Sequence, residues 1–96
     1  MDKYDDKIKK IKEKIDVARN EYDYKTLFLE TGRLINLLNK KKNKLLDDSK
    51  GVINPQVRQL LNEIQSHLRT HRQNLALYYE KCMSEDNTML FFLTTM

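Results

Sequence analysis

The sequence predicts an all-α protein: an antiparallel three-helix bundle, made of a long helical hairpin and an N-terminal helix, with a short apolar C-terminal segment. Three observations lead to this fold class. The 96 residues include only two glycines and one proline, a composition that favours helices over sheet turns. Apolar residues recur every three or four positions along most of the chain. The polar run 47–51 divides the second apolar pattern from the third.

The first helix is predicted over about residues 4–21. Asp2, Asp5 and Asp6 place negative charge where the N-terminus of a helix favours it. The apolar positions behind them follow the spacing of a single helical face. These positions are Tyr4, Ile8, Ile11, Ile15, Ala18 and Tyr22.

The second helix is predicted over about residues 24–46. Its stripe is turned by about 200° relative to the first, so one straight helix cannot direct both stripes at one core. We therefore expect a break between Asn20 and Asp23, with Asp23 as the N-cap. Gly32 costs this helix about 1 kcal/mol relative to alanine, which indicates either close approach of another helix or simple tolerance. The stripe consists of Tyr24, Phe28, Thr31, Ile35, Leu38 and Leu45, flanked by Leu27, Leu34 and Leu37.

The third helix is predicted over about residues 55–83. Asn54 followed by Pro55 is an N-cap with proline at the first helical position. Nearly unbroken a/d-type spacing predicts long packing against the second helix, joined to it by a short loop. The stripe consists of Val57, Leu61, Ile64, Leu68, His71, Leu75, Tyr78 and Cys82, widened by Leu60, Leu77 and Tyr79.

The tail, residues 84–96, is predicted to lie outside the third helix. Residues 84–87 interrupt the apolar pattern, and the segment that follows is too apolar to be favourable in water. We expect this segment, Met89, Leu90, Phe91, Phe92 and Leu93, to dock on the bundle or to bind a partner.

Charge and cysteine content place the single domain, residues 1–96, in the cytoplasm. The net charge is +4, with a basic run over 40–44 that suits the negative end of a helix. Cys82 is the one cysteine, which is typical of a reducing compartment. No secretory signal is predicted at the N-terminus, and the longest apolar stretch is far shorter than the ~20 residues of a transmembrane helix.

No pattern for catalysis or for a cofactor is present, so we expect a protein that is not an enzyme and has no cofactor. Glu63, His67 and His71 are spaced four apart on one helical strip, but they lack the wider motif of a helical zinc site, and a partly buried His71 explains the pattern more simply. Arg69 and Arg72, with the lysines of the second helix, offer a nucleic-acid surface as an alternative. The tyrosines lie on packing stripes rather than among these basic residues, which argues against it.

Three stretches follow one another along the chain: residues 17–24, the leucine- and lysine-rich run that starts at Leu27, and residues 57–64. In their order they resemble the small flagellar and type III export chaperones of the FliT and FlgN kind. The resemblance implies a cytoplasmic chaperone that binds the helical end of an export substrate in an apolar groove, with 89–93 as a segment able to cover it. Bacteriocin immunity proteins are similar in outline, and a phage or plasmid inhibitor protein would also fit.

The sequence thus predicts a helical module that acts through protein–protein contact, with a homodimer among the candidate assemblies. An amphipathic helix bound by leucine and aromatic anchors is the recognition mode that these stripes favour. The predicted partner-binding residues are Leu61, Leu68, His71, Leu75, Tyr78, Met89, Leu90, Phe91 and Phe92.

Overall fold

The computed structural model describes the backbone of residues 3–95 and the side chains of residues 3–84. It contains α1 (Lys3–Asn20), α2 (Tyr24–Asp48) and α3 (Pro55–Thr95), and no strand among the residues described. The predicted all-α three-helix fold is confirmed. The ends of α1 and α2 lie within two residues of their predicted positions.

The break between α1 and α2 falls where the two stripes change direction. The N–H of Asp23 donates to the carbonyl of Ala18 (2.9 Å) and the N–H of Tyr22 to that of Arg19 (3.3 Å), the two bonds of a Schellman C-cap. Tyr22 occupies the left-handed position of this motif, with φ 54°, where glycine is usual. Asp23 then caps α2, as predicted, by accepting from the N–H of Thr26 at 3.2 Å.

The link from α2 to α3 also follows the predicted turn chemistry. Lys50 and Gly51 adopt positive φ values of 53° and 79°, which reverse the chain after Ser49. The Asn54 side chain accepts from the N–H of Val57 at 2.9 Å, so it is the N-cap that precedes Pro55.

The helix α2 lies between the other two and carries the centre of the core. Both α1 and α3 pack along it, whereas no described Cα atom of α1 lies within 8 Å of one in α3. The most buried side chains are accordingly on α2, with Leu34 at 0% and Leu27 at 1% exposure. The rest of the core is apolar and comes from all three helices: Ile8, Ile15 and Ala18 of α1, Ile35 and Leu38 of α2, and Ile64 and Leu68 of α3.

The predicted end of the third helix near Met83 is wrong, because α3 continues to Thr95. Residues 84–87 have only moderate helix propensity, but neither glycine nor proline follows Pro55 in the sequence, so nothing forces the helix to stop. The 41 residues of α3 span about 61 Å at 1.5 Å per residue, which accounts for the 63 Å length of the molecule.

The predicted α3 stripe is shielded from solvent along its whole length. Every member from Val57 to Cys82 is buried or partly buried. The residues predicted to widen the stripe are about half exposed, with Leu60 at 48%, Leu77 at 55% and Tyr79 at 51%. Among the residues described, no helix is long and apolar enough to cross a membrane.

Candidate protein-binding face

The two faces of the α2–α3 hairpin have different surroundings. On one face, the Asp5 carboxylate of α1 accepts from the Lys41 ammonium group at 2.7 Å. On the same face, Lys12 of α1 lies close enough to His71 of α3 to help lower the pKa of its imidazole. This is the face that α1 covers.

The opposite face has no helix over it in the part of the chain described, and we name it the open face. Two grooves run along it, and α1 contributes no residue to either. Nearer the start of α2 is the apolar groove, with a volume of about 390 Å³. It is lined by Phe28, Leu29, Gly32, Arg33, Ile35, Asn36 and Leu75.

Exposed apolar side chains extend the apolar groove towards the start of α2. Leu29 is 52% and Tyr79 51% exposed, and Met83 follows one turn further along α3 at 42%. The rings of Phe28 and Tyr79 lie 5.8 Å apart and tilted by 44°, so they join the two helices at this end. Exposed apolar side chains beside a groove are typical of a protein–protein contact site.

Gly32 forms an empty part of this surface. A Cβ atom added there would meet nothing within 4 Å among the residues that the structure describes. The sequence allowed either close approach of another helix or simple tolerance at Gly32, and no helix in the described part of the chain comes that close. The glycine costs α2 about 1 kcal/mol, and no described contact within the chain requires it.

The second groove, the basic groove, lies further along the same face. Its volume is about 530 Å³, and no carboxylate lines it. Two arginines and a lysine supply the charge, while amides and small apolar groups supply the rest: Lys42, Gln65, Leu68, Arg69, Arg72, Gln73 and Ala76. The basic residues that the sequence offered as a nucleic-acid surface thus come together across two helices.

A third groove, of about 470 Å³, lies on the α1-covered face beyond the start of α1. Its floor is apolar, including Leu45 and Leu60, but its rim has charges of both signs, such as Lys44 and Glu63. Its mixed rim gives no preference for the charge of a ligand.

The predicted partner-binding residues of α3 mostly contact the chain's own helices. Leu68 is 2% exposed and belongs to the core, and the partly buried Leu75 and Tyr78 pack against that core. Leu61 is partly buried. Of these, Leu68 lines the basic groove and Leu75 the apolar groove of the open face. Their role in partner binding remains a prediction, and Leu68, at 2% exposure, offers a partner very little surface.

His71 is partly buried and lies near α1 of the same chain. Burial is the main cause that lowers the pKa of its imidazole, followed by the positive charge of Lys12 and the neighbouring His67. Within residues 3–84 no three histidine, cysteine, aspartate or glutamate side chains are placed to hold a metal ion.

The remaining predicted binding residues are Met89, Leu90, Phe91 and Phe92. The backbone there is helical, and their side chains lie outside the described residues.

The sequence pattern did not identify the open face. Leu29 lies beside Phe28 but outside the main stripe, and the regular spacing of apolar residues predicts only the buried side of each helix. The available signal was Gly32, a helix-interior glycine with exposed leucine three residues before it.

Comparisons with protein-family models, with curated proteins and with solved structures found no match to this chain. The arrangement of the open face is therefore the basis of the functional proposal.

Proposed function

We propose that the chain is a protein-binding module and that a helix of a partner protein binds along its open face. The observation that carries the proposal is Gly32, which leaves space beside α2 that no described part of the chain fills. Small residues at helix contacts let two backbones approach closely, and a glycine that costs stability within the monomer is consistent with such an approach by a partner.

The size of the face suits a helix. From Phe28 to Lys42 the open face extends about 21 Å along α2, the length of a helix of about four turns. Leu29, Tyr79 and Leu75 provide apolar anchor contacts at one end, as in other complexes in which a helix binds in a groove.

The specific form of the proposal is an export chaperone, to which the resemblance to the FliT and FlgN kind points. In that form the chain is cytoplasmic, and the bound helix is the terminal segment of a flagellar or type III export substrate. Self-association is the other way to cover the face, but a second copy also carries +4 net charge and the same basic groove, which favours a different protein as the occupant.

The proposal is tested with peptides selected for binding from a displayed library of amphipathic helices, titrated into the isotope-labelled chain. We expect the backbone amide signals of Leu29, Gly32 and Leu75 to shift, while those of Lys10 and Lys14 on α1 stay in place. A library that yields no binding helix would contradict the proposal, as would shifts confined to α1.

A matched pair of surface variants checks the location independently. Leu29→Glu places a charge in the apolar groove and should weaken binding of the selected helices by about tenfold or more. Val17→Glu makes the same change on α1, at a side chain with nearly equal exposure of 56%, and should leave binding unchanged. Equal effects of the two variants would rule out the open face.

A further inference from the structure

The basic groove brings three cationic side chains together, with no carboxylate among its described lining residues. The ion pairs of the described residues all lie elsewhere: Arg19 with Asp16, Arg33 with Glu30, and Lys41 with Asp5. Within the described part of the chain, Lys42, Arg69 and Arg72 have no such partner.

The three unpaired cations converge on one groove from two helices. Arg69 and Arg72 are three residues apart and therefore neighbours on α3, and Lys42 faces them from α2. Guanidinium groups bind carboxylates in a bidentate manner, and the amides of Gln65 and Gln73 add further donors at the edge. The groove is thus complementary to negatively charged oxygen atoms.

The apolar groove and the basic groove lie next to each other along α3. Leu75 lines the first and Arg72 the second, only about 4.5 Å apart along the α3 axis. Gly32 and Lys42 are about 15 Å apart along α2. A ligand that fills both grooves must have apolar groups at one end and negative groups two to three helical turns away.

We infer that the partner helix is acidic: it carries apolar anchors for the groove at Gly32 and, two to three turns further on, aspartate or glutamate side chains that pair with Lys42, Arg69 and Arg72. This inference rests on the proposed function and specifies the chemistry of its partner. A nucleic acid fits less well, because it carries a phosphate at every nucleotide, whereas half of this face is apolar.

The test compares the helices that a displayed amphipathic library yields against the wild-type chain and against the Arg69→Glu, Arg72→Glu variant. We expect aspartate and glutamate to be enriched for the wild type at positions two to three turns from the apolar anchors. For the variant we expect lysine and arginine at the same positions. Lys7→Glu, Lys14→Glu on α1 changes the net charge equally and should retain the acidic preference.

Binding of the selected acidic helices is then measured directly. The Arg69→Glu, Arg72→Glu variant should bind them about tenfold more weakly than the wild type, and the wild-type affinity should fall as salt is raised. The α1 variant should differ little from the wild type.

The outcomes separate this inference from the proposed function. Helices selected without a charge preference, yet located at Gly32 and Leu75, would overturn the inference and leave the proposed function standing. If no helix is selected, both fail. A single-stranded or duplex oligonucleotide that binds through Arg69 and Arg72 more tightly than any selected helix would also overturn the inference.

Discussion

The two faces of the α2–α3 hairpin use the same helices with different results. On one face α1 covers leucine and isoleucine side chains and adds an ion pair at Lys41. On the other face α2 and α3 present an apolar groove, a glycine and a cluster of unpaired cations with no described helix over them. The comparison teaches that the core needs only one face of the hairpin covered, which leaves the second face available for a partner.

The largest expected difference between the faces is in stability. Leu34 is fully buried between the helices, so Leu34→Ala should lower the free energy of unfolding by about 2–5 kcal/mol. Leu29→Ala on the open face should change it by no more than about 0.5 kcal/mol. Urea unfolding followed by circular dichroism measures both, and similar losses for the two variants would show that the open face is packed in solution.

A smaller change in the free energy of unfolding is expected at the ion pair that joins α1 to the covered face. Asp5→Asn removes the negative charge from the ion pair between Asp5 and Lys41. The Asp5 side chain is 50% exposed and the Lys41 side chain 34% exposed. Because exposed ion pairs contribute little, the loss should be about 0.2–1 kcal/mol and should disappear in high salt. Urea titrations at low and high ionic strength check this, with Asp6→Asn, one residue away on an exposed position, as the control.

The smallest expected effect is a pH dependence of the free energy of unfolding, which arises from His71 on the covered face. The pKa of His71 is lowered in the folded state from the ordinary 6.5, so the unfolded chain takes up this proton first as the pH falls. The free energy of unfolding should therefore decrease as the pH falls below 6.5 and through the folded pKa. His71→Gln should flatten this part of the thermal-unfolding profile, whereas His67→Gln, at an exposed position, should retain most of it. An unchanged slope in His71→Gln would contradict the assignment.

The parts of the fold that could be predicted are those that depend on residues close together in the sequence. The rotation between two apolar stripes predicted the break at Asp23, although Tyr22 rather than glycine occupies the left-handed position there. The helix caps at Asp23 and Asn54 could be predicted because each side chain accepts a hydrogen bond from a backbone N–H group only three residues away. The end of α3 could not be predicted from the sequence, because the four polar residues 84–87 interrupt the apolar pattern without ending the helix.

The candidate site was harder to predict because it depends on which face of the α2–α3 hairpin α1 leaves uncovered. Periodicity identifies the stripe that a helix buries, and it correctly placed Leu68 and His71 on the buried side of α3. It cannot tell which of two possible faces α1 will cover, and that choice decides whether Gly32 is buried or empty. The basic groove likewise requires the antiparallel register of α2 and α3, which brings Lys42 level with Arg69.

The central claim, that the open face is a binding site centred on Gly32, is tested most directly by Gly32→Ala. The added methyl group meets no atom of the described residues within 4 Å, so the variant should be more stable to unfolding by about 1 kcal/mol. The same methyl group should obstruct a helix that approaches closely and weaken its binding by about tenfold, measured by titration calorimetry with the selected helices. A variant that is more stable and binds as tightly as the wild type would contradict the claim.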